Sequence, residues 1–131
     1  MEMSLIFDAD YDVHKISSIL GISPYDAKKK DETRVNPITK DKNPGYWTIR
    51  SDTLCDYDLK NTTNNLLNKI KNKLSLIKNL CQSNDGKVMF DFVINFCANE
   101  APAIYFERDF LEIVHYLNAE IQFDLYNCDE S

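Results

Sequence analysis

Three observations predict an α+β fold, a two-layer sandwich with a largely antiparallel sheet and helices on one face. Apolar and polar residues alternate in nearly every candidate strand. One long stretch repeats its apolar residues at helical spacing. The two kinds of segment follow one another in the order β-α-β-α-β-β-α-β. Alternation sets one face of a sheet on a core and leaves the other in water, as antiparallel sheets commonly do. Helices then cover the apolar face, in an order compatible with a ferredoxin-like outline. With 131 residues, 44% of them apolar and 27% charged, a single domain spanning 1–131 and closing one core is expected.

The first strand is "MSLIF", and "DVHKISSILGI" after it forms a helix with Val13, Ile16, Ile19 and Leu20 on one side. Gly21 stands where a left-handed C-cap belongs. The carboxylates of "DADYD", Asp8 to Asp12, begin like a calcium loop. Such a loop needs Gly at its sixth position and a bidentate Glu at its twelfth. Val13 and Ile19 occupy those positions. The run is therefore read as helix capping, with Asp12 at the N-cap and Asp10 just ahead of it.

Residues Ser23 to Pro44 lose all periodicity and are read as a long solvated loop. "GYWTIRSD" alternates, with Trp47 and Ile49 inward and Tyr46, Thr48 and Arg50 outward. From about Asp58 to Cys81, Leu59, Thr63, Leu66, Leu67, Ile70, Leu74, Ile77 and Cys81 recur at three- and four-residue steps. That pattern predicts one long amphipathic helix, ended by the turn residues of "SNDGK".

In "KVMFDFVINFCAN", Val88, Phe90, Phe92, Ile94 and Phe96 face the core and Met89, Asp91, Val93, Asn95 and Cys97 face away. "PAIYFE" reads as a shorter strand. "RDFLEIVHYLN" reads as a helix burying Phe110, Ile113, Val114 and Leu117. The final strand, "AEIQFDLYN", sets Ile121, Phe123 and Leu125 against Gln122, Asp124 and Tyr126.

Composition narrows the function. No apolar run approaches the ~20 residues of a membrane span, and the acidic N-terminus is no signal peptide. A cytoplasmic location is expected, with Cys55, Cys81, Cys97 and Cys128 as free, mostly buried thiols. A net charge of -6 argues against nucleic acid as a partner. The charge is uneven: Ala27 to Asn43 carries +3, whereas from Glu100 onward Arg108 alone opposes eight acids, a net -7. An acidic C-terminal third steers toward a basic partner.

No nucleophile elbow, phosphate loop, zinc-helix or dinucleotide motif is present. Neither a metal nor a cofactor is expected. His14 and His115 lack a partner in sequence. Asp91 and Asp124 could meet on the open side of the sheet as a general acid–base pair. The open face as a whole carries Tyr46, Thr48, Arg50, Met89, Asp91, Asn95, Gln122, Asp124 and Tyr126. Tyrosines among polar and acidic groups suit protein binding. Within that face Tyr46, Thr48, Asp91, Asn95, Gln122, Asp124 and Tyr126 are the candidate contacts.

"YDVHKISSILGISPYDA", "GYWTIRSD" and "PAIYFERDFLEIVHYLNAEIQFDLYN" together resemble the bacterial family catalogued as domain of unknown function 4279, over about residues 3 to 127. The matching positions are Leu20, Gly21, Ile22 and Pro24; Trp47; and Asn118, Ala119, Ile121 and Tyr126. Asn118 stands where that family commonly has Gly, and Asn tolerates the left-handed turn. The resemblance carries no catalytic residues. It makes an immunity protein, neutralising a toxin by binding it, a plausible reading. A non-enzymatic protein-binding module with a basic toxin domain as partner is thus the leading expectation. The alternatives are a small enzyme or ligand-binding domain using Asp91 and Asp124 under a 23–44 lid, and an oligomeric structural subunit.

Overall fold

The computed structural model describes residues 1–52, 59–97 and 104–127. Among these residues, five strands form one sheet in the order β2-β3-β1-β4-β5. They are β1 (Glu2–Phe7), β2 (Asp26–Lys28), β3 (Gly45–Arg50), β4 (Gly86–Phe96) and β5 (Glu120–Asn127). Four helices accompany them: α1 (Ile16–Leu20), α2 (Leu59–Ile70), α3 (Leu74–Ser83) and α4 (Arg108–Leu117). The architecture is the α+β two-layer sandwich that the alternation predicts.

β1 is antiparallel to both β3 and β4, so Leu5 faces Trp47 on one side and Val88 on the other. Met3, Leu5, Phe7, Trp47, Phe90, Phe92 and Ile94 share the inward side, and all are 0% exposed. Helix residues Ile16, Leu20, Leu66, Ile70, Ile77 and Phe110 close over them. The Phe110 ring meets Phe90 and Phe92 edge-on, at 5.2 and 5.7 Å between centroids. Gly86 is required where β4 begins: a β-carbon there would lie 2.3 Å from the Phe7 ring.

Asp12, Gly21 and Asn118 stand at helix ends, Asp12 opening a 3₁₀ turn rather than α1 itself. The Asp12 side chain accepts from the His14 N–H at 3.1 Å, and a short 3₁₀ turn, Val13–Lys15, leads into α1. Gly21 ends α1 at φ +68°. Asn118 ends α4 at φ +51°, where Ala119 N–H also returns to the Val114 carbonyl at 2.9 Å.

Five expectations are corrected. The long helix divides into α2 and α3 at Lys71–Lys73; no glycine or proline marks the break, and its apolar stripe runs through it. Within 23–44, β2 pairs with β3, and Val35 bridges Lys42. The loop is thus a built edge. Residues Ile104–Glu107 of "PAIYFE" are irregular rather than a strand, with Phe106 stacked on Phe123 at 5.9 Å between centroids. Ile19, placed with the core side of its helix, is 45% exposed, because the five-residue α1 has only one buried edge. The ferredoxin-like outline also gives way. The central strand is antiparallel to both neighbours, and the parallel pair, β4–β5, lies at the edge.

The cysteines differ too. Cys81 is a free, buried thiol, and burial pushes it up to about 11, which keeps it protonated and unreactive. Cys97 is disulfide-bonded, contrary to the expectation of thiols throughout. Cys55 and Cys128 lie outside the described residues. No helix among the described residues is long and apolar enough to cross a membrane.

Trp47 is the largest side chain in the core, and its indole N–H donates to Ser17 Oγ at 3.0 Å. Trp47→Ala is expected to lower the unfolding free energy by about 3–5 kcal/mol, read from urea midpoints. A midpoint near that of the parent would contradict this packing.

Candidate functional site

The register that buries one side of each strand lines up the other side in rows. Glu2 lies between Arg50 on β3 and Asp91 on β4, and Asp91 is in turn level with Gln122 on β5. Val93 and Asp124 form the next row, Asn95 and Tyr126 the last. All seven candidate contacts therefore share the face away from the helices. They fall into two groups separated by β1. Asp91, Asn95, Gln122, Asp124 and Tyr126 form a continuous patch on β4–β5, whereas Tyr46 and Thr48 lie on β3.

The β3 group is already engaged within the fold. Thr48 is 6% exposed and shares a 2.7 Å hydrogen bond with Ser4, so its expected role as an open contact is corrected. The Tyr46 hydroxyl donates to Asp26 Oδ2 at 2.7 Å. Burial, then the hydrogen bond and charge of Asp26, push the Tyr46 phenol up to about 12. Arg50 donates to Glu2 through Nε at 3.0 Å and Nη2 at 2.5 Å. Its guanidinium also covers the Tyr25 ring at 3.6 Å. Arg50 and Tyr25 thereby hold the face flat beside the patch.

The β4–β5 group differs because, among the described residues, neither of its central carboxylates forms an ion pair with a lysine or arginine. Asp91 and Asp124 meet, as their parity suggests. Burial lifts the Asp91 carboxyl from an ordinary 3.8 to about 6, assisted by the hydrogen bond and charge of Asp124 and the charge of Glu2, and opposed by the N-terminal amine. Asp91 Oδ1 is buried with no hydrogen-bond partner. Two ionised carboxylates cannot bond to one another, so burial and the neighbouring Asp124 charge both favour the protonated form of Asp91. Around it Asn95, Gln122 and Tyr126 are exposed, Tyr126 by 57%.

The concave sites lie elsewhere. A hollow of about 330 Å³ is lined by Pro24, Tyr25, Arg50, Asp52 and Lys69, among others. Another of about 470 Å³ is lined by Lys28, Thr33, Arg34, Asn43, Pro44 and Tyr46. Neither includes Asp91 or Asp124. The proposed lid is also on the wrong side. β2, the strand of the 23–44 segment, is three interstrand spacings from β4, roughly 14 Å. That segment is pinned in place by Tyr46–Asp26, by Lys30 Nζ on the Asp8 carbonyl at 2.9 Å, and by His14–Glu32 at 2.7 Å. His14 thus holds Glu32, whose carboxyl that contact lowers. His115 is exposed on α4. Among the described residues no three His, Cys, Asp or Glu converge as metal ligands.

The model of the family described as Domain of unknown function (DUF4279) matches residues 4–128. The chain belongs to that family. No curated protein and no solved structure matches it. The positions that carry the DUF4279 resemblance in this chain have mostly structural work. Leu20 and Trp47 are core, Gly21 and Asn118 are left-handed caps, and Ile22, Ala119 and Ile121 pack against the core. Tyr126 is the exception, since it stands in water.

Sequence reading missed Glu2, Ser4, Tyr25 and Asp26 as members of this face. For β1 the signal was available: Glu2 and Ser4 alternate with Met3 and Leu5 just as the β4 residues do. For Tyr25 and Asp26 no periodicity existed, because a three-residue strand held by pairing to β3 and by contacts with Tyr46 and Arg50 has no alternating pattern of its own.

The carboxyl pair sets a pH dependence of stability. Below pH 3.8 the folded and unfolded chains both hold the Asp91 proton, so the site is neutral to folding. Between 3.8 and about 6 only the folded chain keeps it, and stability falls as pH rises. Asp91→Asn is therefore expected to be more stable than the parent at about pH 7.5, with the gain shrinking toward pH 4, in urea titrations at both. A variant less stable than the parent at the higher pH would contradict a raised Asp91 carboxyl.

Proposed function

We propose that this DUF4279 protein is a non-enzymatic protein-binding module whose working surface is the β4–β5 half of the open face. The observation that carries the reading is that patch: a pair of neighbouring carboxyls with exposed Asn95, Gln122 and Tyr126 beside it on one continuous face. Tyrosine brings large contact area at small entropic cost, and rim acids raise the rate of encounter with a basic surface. The -7 charge from Glu100 onward extends the same field. Such a surface suits a bacterial immunity-type protein that sits on a basic toxin domain and blocks it by association, inside the cytoplasm. Asp91, Asn95, Gln122, Asp124 and Tyr126 are the contacts of this reading, while Tyr46 and Thr48 support the sheet behind it.

A second reading draws on the pair itself. A carboxyl that keeps its proton to about pH 6 is in the state that a general acid requires. The hollows described above lie away from it, so a substrate would have to bind on a flat face.

The test is capture of the partner from lysate of the source cells, its identification, and binding kinetics with purified variants. Tyr126→Ala is expected to raise the dissociation rate most, because central aromatics tend to be hot spots. Asp124→Asn is expected to lower the association rate and flatten its salt dependence. Both chains should melt as the parent does at neutral pH or above it. If both bind the captured partner normally, the β4–β5 patch is not the working surface.

A further inference from the structure

The two edges of the sheet are finished differently. β2, at one edge, is three residues long and runs into Lys29 and Lys30; shortness and lysine are common guards against unwanted strand pairing. β5, at the other, is eight residues long, with no Pro, Gly, Lys or Arg. It follows β4 without a bulge from Glu120 to Asn127. Among the described residues no strand lies on its outer side. An unguarded edge of this length is a template for another strand.

The side chains point the same way. On β4, Phe92 and Ile94 are 0% exposed, while their register neighbours on β5, Phe123 and Leu125, are 36% and 54% exposed. The helix layer stops one strand short. Phe106 reaches Phe123, but beside it Ile104 and Tyr105 are themselves 50% and 69% exposed. A further strand outside β5 would cover Phe123 and Leu125 with its own helix-side residues. On the open-face side that strand would run past Glu120 and Asp124.

We propose that β5 accepts an added strand from a partner protein, an extended segment that alternates apolar and basic residues, along its outer edge from Glu120 to Tyr126. This rests on the protein-binding reading above and specifies its geometry. The apolar residues of the added segment lie over Phe123 and Leu125, and the basic ones lie beside Glu120 and Asp124. A second copy of this chain is the poorer occupant. Antiparallel β5–β5 pairing would bring the Glu120 and Asp124 carboxylates of both copies together on one face, four acids against the two Lys87 amines that stand 3.6 Å from Glu120. Like charges so placed are destabilising, and each copy carries a net charge of -6.

The experiment uses the full, isotope-labelled chain and a synthetic peptide of about ten residues alternating lysine and valine. Two controls are the same peptide N-methylated through its centre, which keeps the side chains and removes the strand donors, and a glutamate–valine counterpart. Backbone NMR is expected to show β5 amide shifts and slowed exchange with the lysine peptide. Methylation should weaken binding at least about tenfold, and the glutamate peptide should not bind. Leu125→Lys, at an exposed position where folding is not at stake, should weaken the lysine peptide about tenfold, because edge lysine is a guard. Equal binding by the methylated peptide would overturn strand addition while leaving side-chain recognition by the open face intact. Unmoved β5 amides would also overturn it, as would a dimer in sedimentation that Leu125→Lys dissolves, since the occupant would then be a second copy.

Discussion

Strand β1 lies between β3 and β4 and pairs with both along all six of its residues, so one register decides what the sheet buries. With Met3, Leu5 and Phe7 turned to the helices, Trp47, Ile49, Val88 and Phe90 must turn with them, because cross-strand neighbours share a face. A slip of one residue would send every one of these to water and bring Glu2, Ser4 and Asp91 into the core. The Phe7 ring seated over Gly86 allows little tolerance at the end of that register. Arg50 bridging to Glu2 fixes the other end from the open side. The remaining helices and turns are arranged around this three-strand unit.

The open face is the same register seen from behind. Glu2, Asp91 and Asp124 are not gathered by a loop or a pocket. They arrive together because each lies on the water-facing parity of its own strand, Glu2 beside buried Met3 and Asp91 between buried Phe90 and Phe92, with Asp124 on the matching parity of β5. β5 extends the pattern parallel to β4, which sets Asp124 one row beyond Asp91 and Tyr126 level with Asn95. Crowding of the two carboxyls is thus a by-product of sheet geometry that the fold tolerates, felt as a rise of the Asp91 carboxyl to about 6. The tolerance has a physical reason: the pair sits at the water-facing side, where part of the desolvation is relieved.

Much of this was legible from the residues. Period-two alternation identified β1, β3, β4 and β5 and the inward set on the central strands, and it placed Asp91 and Asp124 on one side. Asp12, Gly21 and Asn118 marked helix ends through local chemistry that survives in any tertiary setting. What was not legible depends on neighbours. β2 has no pattern of its own and exists because β3 offers an edge. Phe123 and Leu125 have the pattern of core residues, yet they stand at the last strand, beyond the reach of the helix layer. Thr48 has the pattern of a surface residue and is covered, because Ser4 supplies a hydroxyl partner opposite it. The division of the long helix at Lys71–Lys73 has no counterpart in composition. Strand order decides edge from centre, and no short-range pattern encodes it.

The claim that joins fold to function is that β4 and β5, in their parallel register, crowd Asp124 against a part-buried Asp91 on the open face and raise the Asp91 carboxyl. Carboxyl-carbon NMR of the aspartates, followed from about pH 3 to pH 9, measures this directly. The account predicts that the Asp91 carboxyl titrates near pH 6 and that Asp124→Asn brings it down. An Asp91 curve centred near 3.8, unmoved by Asp124→Asn, would contradict it.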